Sequence, residues 1–305
     1  MRKVDHEKDK PKPVRLLKTK FEPRNLNQAI LHTAVSDPEI QIAFAVGLAG
    51  GGKTYVPLRA AFEHVADPSS PIKKVYVFRP HVTSSGQKIG AVPGDLNDKT
   101  APYTKAIDGN IEKITGQKTI NLTNQDKLEI TTADTSRGDT FDNSFIIIDE
   151  AQNFSKSEIA MLATRIGENS KMVFTGDISS QQNDLVFKEG GLVSAVAHFV
   201  AATKKDTVLD QATAFVRFTA EDSAARSGIL PSILRAFEET PEGFIQLADH
   251  AVGERQEKYN ADLAHNREMA MNLLDDGAQV TADRYTDKAL KKWREPALRA
   301  PANQP

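Results

Sequence analysis

The chain has 305 residues, 39% hydrophobic and 26% charged, which gives ample length for a large core and the composition of an ordinary globular protein. It contains no cysteine, which excludes disulfides and thiolate metal sites. No apolar run nears membrane-spanning length and no signal-peptide core follows Met1, so a cytoplasmic protein without membrane contact is expected. The net charge of −2 gives no bulk argument for nucleic acid. Residues 1–20 nevertheless hold eight Lys/Arg against three Asp/Glu and read as a disordered basic lead.

Phe21 to Leu31 predicts a helix entered through Asn25, with Leu26, Ile30 and Leu31 facing inward. Gln28 on that helix carries both a donor and an acceptor, a pair that suits the N6/N7 edge of adenine. The apolar run Ile42 to Val46 predicts a buried strand, and a helix is expected over Tyr55 to Val65. Between them stand Gly47, Leu48, Ala49, Gly50, Gly51, Gly52, Lys53 and Thr54, which fit G-x-x-x-x-G-K-[ST]. The glycines let successive N–H groups curl around an anion, Lys53 reaches the β- and γ-phosphates, and the Thr54 hydroxyl holds Mg²⁺. Tyr55 closes the expected nucleotide contacts at the start of the helix. The alternative, a plain glycine-rich turn, does not need the strand before and the helix after.

Lys74 to Phe78 reads as a second buried strand, ending in Arg79 and Pro80. His81 to Leu96 resembles a functional surface loop, and Asn97 to Thr115 is helical in pattern. Strand-like pieces are expected at Thr119 to Leu122 and Leu128 to Thr131, then a turn over Arg137 to Phe141. Ser144 to Ile148, followed by Asp149 and Glu150, predicts a central strand that delivers two carboxylates at its C-terminal edge. Asp149 would bind Mg²⁺ through its hydration shell, and Glu150 would orient and deprotonate the attacking water.

Ser155 with Glu158 forms a capping-box pattern for a helix that carries Ile159, Met161, Leu162 and Ile166 and ends at Gly167. Lys171 to Asp177 is a further strand with polar groups at its tip. A helix over Gly191 to Ala202, a strand over Ala214 to Phe218 and a helix over Ile229 to Glu239 follow. Alternating strands and helices imply an α/β protein with a mostly parallel sheet flanked by helices. The expected division is a lead over 1–20, an ATPase core over 21–240 and a helical extension over 241–305 with a frayed end. The extension is expected to hold two helices, Arg255 to Leu274 and Asp283 to Trp293, with Trp293 docking on the body or on a neighbour.

Several phrases together resemble the PhoH-like ATPases: the loop Gly47–Thr54, Phe78-Arg79-Pro80, Val92-Pro93-Gly94-Asp95-Leu96, Ile148-Asp149-Glu150-Ala151-Gln152-Asn153, Leu162 to Gly167 and Lys171 to Ile178. The resemblance spans residues 22–239. It implies a RecA-like P-loop NTPase core akin to superfamily 1 helicases, with ATP and Mg²⁺ as cofactors. It also implies ATP hydrolysis coupled to binding or remodelling single-stranded RNA or DNA. Gln28, with Arg24 before it, matches the adenine-side motif. Arg79 matches a motif near the nucleic-acid track, to which Arg137 is added. Gln152 relays the state of the γ-phosphate, and Asp177 belongs to the sensing segment after the next strand. The late segment Phe218 to Asp222 is followed by Arg226, an arginine-finger candidate; Arg165 is a second by its placement at the end of the helix after Glu150. In the sensing segment Ser180 stands where the family usually has Gln, with Gln181 one place later. Leu48 and Gly51 replace the common Pro and Thr. Compact stand-alone versions of this architecture are often met in bacteriophage genomes.

One core leaves the γ-phosphate open on one side, so a homo-oligomer such as a ring is expected, with Arg165 or Arg226 supplied by a neighbouring subunit and worth about 10³–10⁵ in rate. Three other readings stand beside this one. They are a slowly hydrolysing nucleotide-switched binding module, a small-molecule kinase, and a nucleotide-gated ribonuclease using Asp134, Asp139 and Asp142. Nothing resembles a kinase lid, and the three aspartates lack characteristic metal-ligand spacing.

Overall fold

The computed structural model describes residues 16–80, 107–136, 138–178, 190–238 and 253–293. Six strands are β1 (Ile42–Gly47), β2 (Lys74–Phe78), β3 (Leu128–Thr131), β4 (Ser144–Ile148), β5 (Lys171–Gly176) and β6 (Thr213–Phe218). They form one all-parallel sheet in the order β3-β2-β4-β5-β1-β6. Both faces are covered, which explains the unbroken apolar runs of β4 and β5. Alternate side chains feed two cores. Ala43, Ala45, Val75, Val77, Phe145, Ile147 and Val173 enter one, while Phe44, Val46, Phe78, Ile146, Ile148, Met172 and Phe174 enter the other. Phe44 stacks between Phe174 and Phe215, at 4.9 and 5.1 Å between ring centroids.

Helices α1 (Leu26–Ser36), α2 (Tyr55–Ala66), α3 (107–115) and α4 (Thr119–Asn124) contribute to the first core. The second core is closed by α5 (Lys156–Ala163) and α6 (Gly191–Thr203). A short α7 (Thr207–Ala212) precedes β6, and α8 (Leu230–Glu238) follows it. The last helix, α9, runs unbroken from Gly253 to Trp293. The result is the three-layer α/β architecture of a RecA-like P-loop fold. No helix among the described residues is long and apolar enough to cross a membrane.

Local signals that satisfy backbone groups agree with the sequence. The Asn25 side chain accepts from the Gln28 N–H at the start of α1, and Ser155 with Glu158 completes a capping box on α5. Four expectations need correction. Thr119 to Leu122 is helical, because Thr119 and Leu122, three apart, are both buried and the Thr119 hydroxyl bonds the Asp108 carboxylate. The helix after Ser155 stops at Ala163, since Phe141 and Ile166 form a parallel bridge that pulls the chain straight before β5. Leu26 is exposed, whereas Ile30 and Leu31 are buried. The expected pair of C-terminal helices is one helix, since nothing between Asp275 and Ala282 breaks it and Gly277 fits closely against Phe215.

Part of the expected disordered lead is ordered. Leu16 is buried, and the Lys18 N–H donates to the Ile114 carbonyl. Residues 1–15, like the loop from His81 to Leu96, lie outside the described residues.

The long helix passes from one face of the sheet to the other around β6. Ala270 and Leu274 join the second core, Tyr285 and Ala289 the first, and Trp293 meets Phe21 and His32 edge-on. Between these faces the Thr281 hydroxyl accepts from the Phe215 N–H at 2.8 Å, so an edge-strand donor is satisfied inside the chain. Thr281→Val keeps the shape and removes that acceptor. Leaving a buried N–H unpaired is expected to cost about 1–3 kcal/mol, read as a lower urea midpoint with an unchanged slope.

Candidate functional site

The parallel strands deliver their C-terminal tips to one edge. The loop after β1, Asp149 and Glu150 after β4, and Gly176 and Asp177 at the tip of β5 meet there, with β5 lying between the other two strands. Gly47 leaves β1 at φ +136°, and the Leu48 N–H donates to the Phe218 carbonyl. Gly50 and Gly52 also have positive φ, and Thr54 stands at the N-cap of α2. Ala49 is exposed, while Tyr55 is half-buried with its ring 6.3 Å from Phe21.

The two halves of the site touch. The Thr54 hydroxyl donates to Asp149 Oδ1 at 2.7 Å, and the Thr175 hydroxyl donates to the same oxygen at 2.7 Å. The other carboxylate oxygen, Oδ2, faces Arg79 Nη1 at 2.5 Å. Asp149 is buried, so its charge is compensated by hydrogen bonds and one guanidinium. Lys53 donates to the Leu48 carbonyl at 2.6 Å. Burial pushes its ammonium below the usual lysine range, against the pull of Asp177, Glu150 and Asp149. A hydroxyl beside one carboxylate is a hard-oxygen pair. Among the described residues no set of three or more His, Cys, Asp or Glu side chains is gathered for a metal. Such a pair fits Mg²⁺, which keeps waters and takes few protein ligands alongside phosphates.

Glu150 stands in the left-handed region at φ 55°, ψ 44°. Its Oε2 accepts from Gln152 Nε2 at 2.7 Å, and Gln152 Oε1 accepts from the Asp177 N–H at 3.2 Å. A chain of hydrogen bonds therefore links the tips of β4 and β5. Gln28 is buried and braces the phosphate loop: Nε2 donates to the Gly51 carbonyl at 2.8 Å, and Oε1 accepts from the Arg24 N–H at 2.9 Å. Both ends of its amide face backbone here.

The remaining candidates divide. Arg226 is exposed at the end of the one-turn helix Glu221–Ala225, within a segment that packs on the loop; a Cβ on Gly50 would lie 2.5 Å from Leu230 and 3.2 Å from Ser223. Asn25 and Asn27 tie α1 to this segment through Asp222, whose carboxyl is raised by burial. Arg165 is not brought to the site. Its carbonyl accepts from the Phe141 N–H, ahead of β4, so it lies toward the sheet edge opposite the loop. Arg137, Ser180 and Gln181 lie outside the described residues, as does Val92 to Leu96. Asp134 and Asp139 are exposed, while Asp142 Oδ1 accepts from the Glu168 N–H. A cleft of about 250 Å³ borders the loop, lined in part by Leu48, Asp177, Thr219, Glu221, Arg235 and Met271.

Two contacts are visible only in the structure: Thr175, expected in the sensing segment, and Arg79, expected near a nucleic-acid track, both bond Asp149. Strand adjacency was the missing signal: Phe78 is the register partner of Ile148, so the residues after them share one tip.

A family model for the PhoH-like protein matches residues 20–238. The chain is 33% identical over 174 residues to Protein PhoH2 of Thermobispora bispora, covering 57% of this chain and 40% of that protein. It is 31% identical over 214 residues to Protein PhoH of Escherichia coli K12, covering 69% and 57% respectively. It is 37% identical over 139 residues to a PhoH-like protein of Bacillus subtilis, covering 45% and 43%. The matched part thus spans about half the length of these relatives. The match over most of the chain, carried by a P-loop fold with its nucleotide-binding loop, means that the protein belongs to the PhoH family.

Proposed function

We propose that the protein is a Mg²⁺-dependent ATPase whose turnover is coupled to single-stranded RNA or DNA. The observation that supports the hydrolytic part is the Thr54–Asp149 hydrogen bond, with Glu150 next in the chain and Lys53 in the same loop. In this reading the loop N–H groups cradle the β-phosphate, and Lys53 leaves the Leu48 carbonyl for the phosphate oxygens. Glu150 orients a water and takes its proton. Gln152 ties Glu150 to the tip of β5, so a change beside Asp177 is felt at the base. Mg²⁺, when bound at Thr54 and Asp149, neutralises charge on the β- and γ-phosphates.

Coupling to single-stranded nucleic acid rests on the family likeness. The location of Arg165 far from its own loop and the exposure of Arg226 support a homo-oligomer in which a neighbour's arginine completes the site. A cytoplasmic setting, an ATPase core over 21–240 and a helical extension beyond it belong to the same proposal. The test is phosphate release from ATP with Mg²⁺, with and without each polymer. Turnover is expected to rise with one polymer and to be lost in Lys53→Ala. Nucleotide binding without turnover in every condition would overturn the enzymatic reading in favour of a nucleotide-switched binding module.

A further inference from the structure

We propose that Arg79 is a positioning residue that stands in for the divalent cation at Asp149, holding the carboxylate until cation and nucleotide arrive and then releasing it. The inference rests on the nucleotide-site reading above.

Asp149 is 2% exposed, and an ionised carboxylate so deeply placed requires both hydrogen bonds and a compensating charge. Its two oxygens are used differently. Oδ1 takes the hydroxyl protons of Thr54 and Thr175, while among the described residues Oδ2 takes only Arg79. Lys53, a second cation near the carboxylates, is turned to the Leu48 carbonyl. Arg79 therefore supplies the positive charge paired with Asp149. Thr54 has donated its only proton to Asp149, so its lone pairs remain to accept a cation beside that carboxylate.

A divalent cation held at Thr54 would draw on the same buried carboxylate as the guanidinium, and the mutual repulsion of the two positive charges would set them in competition. The backbone allows an exchange. The Arg79 N–H is fastened to the Thr131 carbonyl and the Asp149 N–H to the Phe78 carbonyl, so both strand tips stay fixed while the arginine side chain turns. The Arg79 side chain is 15% exposed against 3% for the Asp149 side chain, which leaves the guanidinium a route toward solvent. By linkage, whatever holds Arg79 on Asp149 weakens cation binding, and the cation loosens Arg79 by the same factor.

The experiment measures binding of a fluorescent methylanthraniloyl-ADP as Mg²⁺ is titrated, beginning in EDTA. Lys53-dependent binding of the probe to the wild type tests the nucleotide site itself, and its absence would sink the underlying reading separately. With that binding in hand, Arg79→Gln is expected to lower the half-saturating Mg²⁺ concentration by about 5–10-fold. Arg79→Lys, which keeps the charge, should stay within about twofold of wild type. An unchanged or higher Mg²⁺ requirement in Arg79→Gln overturns the proposal.

A second measurement covers a variant that fails to fold. The wild-type Arg79 guanidinium N–H signal, assigned by its loss in Arg79→Lys, should exchange slowly with nucleotide in EDTA and rapidly once Mg²⁺ is added. A signal that stays protected in Mg²⁺ would mean that Arg79 is a fixed clamp.

Discussion

Glu150→Gln is expected to lower ATP turnover by about 10²–10⁴-fold while changing nucleotide affinity little. The substitution is close to isosteric, so packing at the tip of β4 is retained. What is lost is the ability to accept a proton from water. The position is also strained: a non-glycine residue in the left-handed region costs about 1–3 kcal/mol. The strain persists because the chain on both sides is fastened, by Asp149 N–H to the Phe78 carbonyl and by Asn153 N–H to the Glu150 carbonyl. Gln152 then holds the carboxylate with one N–H and leaves its other oxygen for water. Phosphate release and fluorescent-nucleotide binding, measured on the same preparation, separate the two effects. Turnover within tenfold of wild type would move water activation to another residue.

Gly47→Ala is expected to destabilise the fold by about 3 kcal/mol or more, and to weaken nucleotide binding with it. A Cβ at this position would lie 1.9 Å from the Phe218 carbonyl oxygen, and φ of +136° is strained for any L side chain. Neither partner can yield cheaply. The contact is with backbone rather than a flexible side chain, and the same carbonyl accepts the Leu48 N–H. Relief would require β1 and β6 to part at Gly47 and Phe218, which are register partners, and the phosphate loop begins at that point. Urea unfolding reads the stability. A wild-type midpoint would mean that the β1–β6 spacing at the loop is looser than described.

The phosphate loop, the carboxylate pair and the capped helices were legible because their information is local. A run of glycines before Lys53 and Thr54, four apolar residues before Asp149, and a serine three residues before Glu158 each state their chemistry within a few positions. The parallel α/β class follows in the same way, since strands buried on both faces must be apolar throughout. Thr119 to Leu122 misled because a short segment with threonine and isoleucine has no periodicity long enough to separate strand from helix. Its helical state is decided by Leu122 in the core and by Asp108, on another element.

The sequence by itself determined that a nucleotide-binding loop and two carboxylates would share the C-terminal edge of a parallel sheet, because parallel strands bring their tips to one side whatever their order. Strand order then decided the company those residues keep. The β2–β4 ladder put Arg79 on one oxygen of Asp149, β5 between the loop and the carboxylates put Thr175 on the other, and α1 put Gln28 on the Gly51 carbonyl. The span of α9 was likewise settled by tertiary contact, through Thr281 on the edge of β6 and Gly277 against Phe215. The site pairings join residues 23 to 70 positions apart, and Thr281 stands 66 positions from its partner Phe215. Local propensity carries no trace of such distances, because the partners meet only after the sheet has closed around them.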